Sequence, residues 1–198
     1  MNNIQFIYFD VGEVLIAGAH SKDIAQIVNI PNEQFRPVFK KYKEQALKGK
    51  ITSDQLLENL KRELPIDPLL IDYPSLWIKS IRPLYETQQF VRELEEKYLL
   101  GMLTNMSSHL IDALAKEKLL SLSPFHTIIQ SHEVGIMKPE KEIFFLAQEK
   151  ANIAPKHILF IDDNKENVIM AKELGWQGFT FDSNNPAQSI TYIKELLL

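Results

Sequence analysis

"IQFIYFDVGEV", residues 4–14, is the stretch whose reading decides the fold. From Ile4 to Phe9 only Gln5 interrupts the apolar run. The run has strand length and is too continuous for a strand with one wet face, so it predicts a strand buried on both sides, as in a parallel sheet. Asp10 then stands at the mouth of that strand, and Gly12 breaks the chain into a turn. Comparable runs recur at Leu99–Leu103, Thr127–Gln130, His157–Ile161 and Gly178–Phe181. Between them lie apolar residues at helical spacing: Leu110, Ala113 and Leu114, then Ile143 and Ala147, then Val168, Ala171 and Leu174 ending at Gly175. Such alternation predicts an α/β fold, a doubly wound parallel sheet in three layers, with ligands beyond the carboxyl ends of the strands.

The first two strands are too far apart for a single crossover helix, so something is inserted between them. From Ser21 to Arg82 the pattern reads as helical, with Ile24, Ile27 and Val28, then Phe35, Val38, Phe39 and Tyr42, then Leu56, Leu57 and Leu60. Thr52 and Gln55 have the form of a capping box, and Gly49 ends the helix before it. The expected division is a core of residues 1–16 and 83–198 with a small helical cap over 17–82. Glu86–Lys97 reads as the first helix after the return to the core.

Composition narrows the function. With 198 residues, 45% of them hydrophobic and 24% charged, the chain can bury one sizeable core plus the insertion. A net charge of −4 supplies no general basic field for nucleic acid or an anionic membrane, so any phosphate site is local. The absence of cysteine excludes disulfides, thiolate metal sites and a thiol nucleophile. The start, MNNIQ, has no charged n-region, and no apolar run is long enough to span a bilayer; the cytoplasm is the expected location.

Each strand ends in polar residues at the same edge: Asp10 after Phe9, Thr104 and Asn105 after Leu103, Asp162 and Asp163 after Ile161. In a parallel sheet these land on one rim. Lys138, after the third strand, reaches the same rim. An exposed aspartate, paired carboxylates suited to Mg²⁺, a hydroxyl, the N–H groups of the TNMSS turn and a lysine together fit phosphoryl transfer with a carboxylate nucleophile. Alternative readings are plain: Asp163 and Asn164 as helix caps, Ser107 and Ser108 as caps or phosphate donors, Lys138 as a surface lysine. The five histidines lack metal-ligand spacing and read as structural; Tyr73, Trp77 and Trp176 read as packing residues.

Taken together these residues resemble the haloacid dehalogenase superfamily of phosphohydrolases, over nearly the whole chain. The first motif is similar to FDVGEVL (Phe9–Leu15), the second to LTN (Leu103–Asn105), the lysine motif to EVGIMKPEKEIF (Glu133–Phe144) and the acidic motif to FIDDNKENV (Phe160–Val168). The resemblance implies Asp10 as the nucleophile that forms an aspartyl-phosphate, Thr104 and Asn105 as phosphate ligands, and Lys138 steadying both. It also implies magnesium on Asp10, the carbonyl of Gly12, and Asp162, with Asp163 supporting the metal shell or the lysine and Asn167 at an outer motif position. The implied substrate is a small phosphorylated metabolite, and the helical cap selects it.

Gly12 departs from the pattern. In typical phosphatases of the superfamily that position is a second aspartate, which protonates the leaving alcohol and contributes its carbonyl to the metal. Glycine keeps the carbonyl and loses the acid, a factor of about 10²–10⁴ in rate. Glu13 or water is left to move the proton, and sugar 1-phosphates, with their less basic leaving group, suit a D-x-G motif. Two competing readings follow: a haloacid dehalogenase, which needs no proton for halide to depart, and a phosphate-sensing or partner-binding module on the same fold.

Overall fold

The computed structural model describes residues 3–70 and 72–198. Its centre is a five-stranded parallel sheet in the order β5-β4-β1-β6-β7, from β1 (Phe6–Phe9), β4 (Leu99–Thr104), β5 (Thr127–Gln130), β6 (Ile158–Asp162) and β7 (Gln177–Thr180). Each predicted apolar run forms one of these strands. The sequence begins at β1, winds outward through β4 to β5, then returns to β6 on the other side. The reversal puts a crevice at the carboxyl ends of β1, β4 and β6, where Asp10, Thr104 and Asp162 sit.

Burial on both faces explains the unbroken apolar runs. Ile7 and Phe9 point into one core with helices α5 (Tyr85–Leu94), α6 (Leu110–Lys116) and α10 (Pro186–Leu197). Phe6 and Tyr8 point into a second with α8 (Lys141–Ala151) and α9 (Lys165–Glu173). Trp176 packs there as expected, 3% exposed and stacked on Tyr8 with ring centroids 5.7 Å apart. Full burial of such side chains stabilises by about 1.5–3 kcal/mol each. At Gly101, opposite Tyr8 in the register, a Cβ would come within 2.5 Å of the Tyr8 ring, so only glycine admits the aromatic pair Phe6–Tyr8.

The insertion contains four helices, α1 (Ser21–Ile27), α2 (Asn32–Leu47), α3 (Ser53–Glu63) and α4 (Tyr73–Ile78). The capping box predicted at Thr52 and Gln55 is present: Thr52 Oγ1 accepts from the Gln55 N–H at 3.1 Å and Gln55 Oε1 accepts from the Thr52 N–H at 2.9 Å. The continuous helical reading up to Arg82 needs one correction. Ile81–Pro83 is strand β3, paired antiparallel with β2 (Ile16–Gly18), and the expected boundary residues meet in this ribbon as Ile16–Pro83 and Ala17–Arg82. Three-residue strands lie below the length at which periodicity is visible. Gly18 has φ 103° there, and a Cβ on it would meet the Ser80 carbonyl at 2.3 Å. A second unpredicted element is the single turn α7 (Ser131–Val134), which follows β5 directly.

Candidate active site

Asp10 leaves β1 with its N–H bonded to the Ile161 carbonyl (2.9 Å), which fixes the strand mouth against β6. Its Oδ1 accepts from the Val11 N–H at 2.7 Å and pairs with Lys138 Nζ at 2.9 Å. No hydrogen bond among the described residues falls on Oδ2. Lys138, only 1% exposed, also donates to Asp162 Oδ2 at 2.6 Å. Its backbone is clamped to Asn105 from both sides: the Lys138 N–H donates to Asn105 Oδ1 and Asn105 Nδ2 donates to the Lys138 carbonyl, each at 2.8 Å. The lysine motif and the threonine motif are thereby locked together, so the surface reading of Lys138 does not hold.

Asp162 is fully buried and its acceptor capacity is used. Oδ1 accepts from the Asn164 N–H (2.8 Å) and Asn167 Nδ2 (3.1 Å), while Oδ2 accepts from Asn167 Nδ2 (3.0 Å) and Lys138 Nζ. Asn164, not Asp163, is the cap of α9, accepting from the Glu166 N–H at 2.9 Å. Asp163 lines the cleft instead. Carboxylate oxygens of Asp10, Asp162 and Asp163 lie within 4.8 Å of one another. Three acids share one lysine, and the charge balance appears in their protonation. Burial and then the neighbouring Asp162 push Asp163 up to about 6. Burial likewise pushes Asp10 to about 6, against the pull of Lys138. Burial opposes the Lys138 charge, yet Asp10 and Asp162 hold its ammonium above the usual lysine range.

The cleft above these groups has a volume of about 220 Å³. Its floor includes Asp10, Gly12, Thr104, Asn105 and Asp163, so the structure gathers every site residue read from the sequence at one sheet edge, with Asp162 and Lys138 directly beneath. Its walls come from the insertion: Phe39, Lys43, Leu56, Tyr73 and Trp77. Tyr73 and Trp77 are buried packing residues and cleft residues at once. At Gly12 a Cβ would meet nothing within 4 Å, so glycine is not required there by space. Glu13 adopts φ 54°, and its Oε1 accepts from the Gly18 N–H at 2.8 Å and lies 3.1 Å from His20 Nε2.

Two features escaped the sequence reading. His20 lines the cleft, whereas His132 Nδ1 and His157 Nδ1 contact the Met106 and Asn3 carbonyls in structural roles. Ser107 and Ser108 do not cap α6, whose first flanking residue is His109. They face Ser53 at the start of α3: the Ser53 N–H donates to Ser108 Oγ at 2.9 Å, and Ser53 Oγ donates to the Ser108 carbonyl at 2.5 Å and lies 3.2 Å from Ser107 Oγ. A contact between residues 53 and 108 leaves no local signal.

Comparison with known proteins assigns the family. Residues 4–175 match the model of haloacid dehalogenase-like hydrolases. The chain belongs to that family. A D-ribitol-5-phosphate phosphatase of Bacteroides thetaiotaomicron is 23% identical to it over 208 residues, covering 96% of this chain and 98% of the relative. Among solved structures, a HAD family enzyme of the same bacterium in complex with magnesium and inorganic phosphate superposes with a TM-score of 0.77 at 24% identity, over 91% of this chain and 95% of the other. The L-2-haloacid dehalogenase of Xanthobacter autotrophicus superposes with a TM-score of 0.63 at 20% identity, over 90% of this chain and 77% of the other. The hydrolase fold expected from the four motifs is the one observed. No helix among the described residues is long and apolar enough to cross a membrane.

Proposed function

We propose that the protein is a magnesium-dependent phosphatase acting on a small phosphorylated metabolite, a sugar or alditol phosphate among the candidates, with Asp10 as nucleophile. The observation that carries this reading is the asymmetry of Asp10. Its hydrogen bonds fall on Oδ1, which orients the carboxylate and leaves Oδ2 without a partner among the described residues, and Asp10 lines the cleft together with Thr104 and Asn105. Oδ2 attacks phosphorus, the P–O bond to the leaving alcohol breaks, and the electron pair leaves with that oxygen. Water then cleaves the aspartyl-phosphate, returning the carboxylate and releasing inorganic phosphate. Lys138 holds Asp10 ionised through the first step and offsets charge on the phosphoryl oxygens.

The carboxylate cluster fits a divalent cation, because three acids converge on one lysine and Asp163 has no cation of its own among the described residues. Asp10, Asp163 and the Gly12 carbonyl would hold magnesium, which when bound polarises the phosphoryl oxygens. Asp162, already accepting four hydrogen bonds, serves the lysine rather than the metal in this reading. Nothing at Gly12 protonates the leaving alcohol, and the Glu13 carboxylate is engaged by Gly18 and His20. Substrates with a less basic leaving oxygen, sugar 1-phosphates among them, are therefore favoured over simple alkyl phosphates. The related D-ribitol-5-phosphate phosphatase places alditol 5-phosphates on the same panel.

Release of phosphate from 4-nitrophenyl phosphate with and without Mg²⁺ tests the proposal. The expected result is turnover that requires magnesium and falls at least about 10³-fold in Asp10→Asn. Magnesium-independent chloride release from a 2-chloroacid would replace the proposal with a dehalogenase. An intact fold with no turnover of any phosphate ester would replace it with a binding module.

A further inference from the structure

Beside the cleft lies a second groove of about 510 Å³ that shares Ala19, His20, Phe39 and Lys43 with it. Lys22, Arg36, Lys40, Lys43 and His20 line this groove, and no carboxylate does. Arg36, Lys40 and Lys43 recur at spacings of four and three on α2, so they share one helix face. Glu33 and Glu44 lie at the two ends of the same face, three residues before Arg36 and four after Lys40, but neither lines the groove. Other lysines of the insertion are paired: Lys41 with Glu63, Lys48 with Glu44 and Glu140, Lys61 with Glu58. Among the described residues no carboxylate lies within 4.0 Å of Lys22, Arg36, Lys40 or Lys43.

One further observation points into the same space. Lys43 Nζ lies 5.8 Å from the Phe39 ring centroid with no carboxylate within 4.0 Å, on the stretch of wall that the cleft and the groove share, where a ligand can supply the missing negative charge.

We infer that this groove holds a second anionic group of the substrate, at the end remote from the phosphoryl group transferred to Asp10. The inference rests on the phosphatase reading and narrows it: the substrate is a small metabolite bearing a second phosphate or a carboxylate, not a neutral polyol monophosphate. Lys43 lines both spaces and meets the anion of a short substrate; Arg36 and Lys40 extend the reach.

The test uses the full chain with Mg²⁺ and matched substrates: an alditol 5-phosphate, the aldonate 5-phosphate of the same length and the alditol 1,5-bisphosphate, with 4-nitrophenyl phosphate as the chemical control. The expected result is kcat/KM for one anionic-tailed substrate about tenfold or more above that for the alditol phosphate. Which of the two shows the gain assigns carboxylate or phosphate. Lys43→Met, and separately the double variant Arg36→Met with Lys40→Met, should bring the preference close to unity, chiefly through KM, and added salt should erode it in the parent. Circular dichroism of these exposed-residue variants checks the fold. Turnover of the chromogenic ester without a preference for either anionic tail overturns the inference and leaves the phosphatase reading standing. So does a preference that survives in both variants, or a basic groove that binds RNA with no effect on tail preference. Failure of all four substrates, the chromogenic ester included, overturns the phosphatase reading and this inference with it.

Discussion

The two sides of the cleft treat charge in opposite ways. On the core side the buried charges are answered from within, and only Asp163 among the three acids has no cation of its own among the described residues: Lys138 sits between Asp10 and Asp162, and Asp162 is saturated by backbone and amide donors. On the insertion side, Arg36, Lys40 and Lys43 on α2 line a groove to which the protein contributes no carboxylate. A site that must do the same chemistry at each turnover needs a fixed constellation, and internal pairing fixes it. A surface that recognises a ligand keeps its charges for that ligand. Lys138→Met breaks the contrast most severely, because it leaves two buried carboxylates facing each other. Loss of about 3–5 kcal/mol in urea unfolding is expected, while Lys43→Met should change stability by less than about 0.5 kcal/mol.

Gly12→Asp sharpens the contrast from the chemical side. The position has room for a Cβ and no positive φ, so the substitution should be accepted without strain. It places a carboxylic acid where the floor lacks one. The expected outcome is a rise of about tenfold or more in kcat for alkyl phosphates relative to 4-nitrophenyl phosphate, whose leaving group needs little protonation. A uniform change across both leaving groups would mean that His20, Glu13 or water already delivers the proton.

The crowded carboxylates also make a pH prediction. Asp10 and Asp163, ordinarily near 3.8, are raised to about 6 without metal. Between the two values the folded chain binds more protons than the unfolded chain, so stability falls as pH rises through that window and stays lower above it. Thermal melts of metal-free protein should therefore show these groups destabilising more at about pH 7.5 than at about pH 5. Added Mg²⁺, which binds the ionised forms, should raise Tm more at the higher pH.

Much of the core was legible because its determinants are local. Each buried strand is an apolar run, each rim residue except Lys138 stands at the end of one, and the parallel arrangement carries them to one edge. Asp10, Thr104, Asn105, Lys138, Asp162 and Asp163 therefore converge as the sequence implied. What the sequence did not carry is pairing at a distance. Nothing near Asn105 announces its two-way clamp on Lys138, and nothing near Asp162 says that three donor groups will fill it and leave Asp163 facing the cleft. The ribbon of β2 and β3 was hidden by its length, and the common face of Arg36, Lys40 and Lys43 gained meaning only when the groove beside it proved free of acids.

A further expected effect concerns the seam between the two sides. Ser53, fully buried at the start of α3, donates its hydroxyl to the Ser108 carbonyl, lies within hydrogen-bond distance of Ser107 Oγ, and donates its N–H to Ser108 Oγ. These bonds tie the insertion to the loop that follows Thr104 and Asn105, and Ser131 Oγ adds a bond to the Leu47 carbonyl at 2.6 Å nearby. Ser53→Ala removes one hydroxyl and strands the Ser108 carbonyl, at a cost of about 1–3 kcal/mol. Because the backbone N–H bond survives, α3 should stay folded, and the loss should appear as looser docking on the phosphate-side loop. The checks are the urea midpoint and a split of KM from kcat: a raised KM with kcat preserved means the seam sets the distance between the two charge patterns. A fall in kcat instead would place Ser107 and its loop in the phosphoryl-transfer step itself, and the separation of a catalytic side from a recognising side would no longer hold.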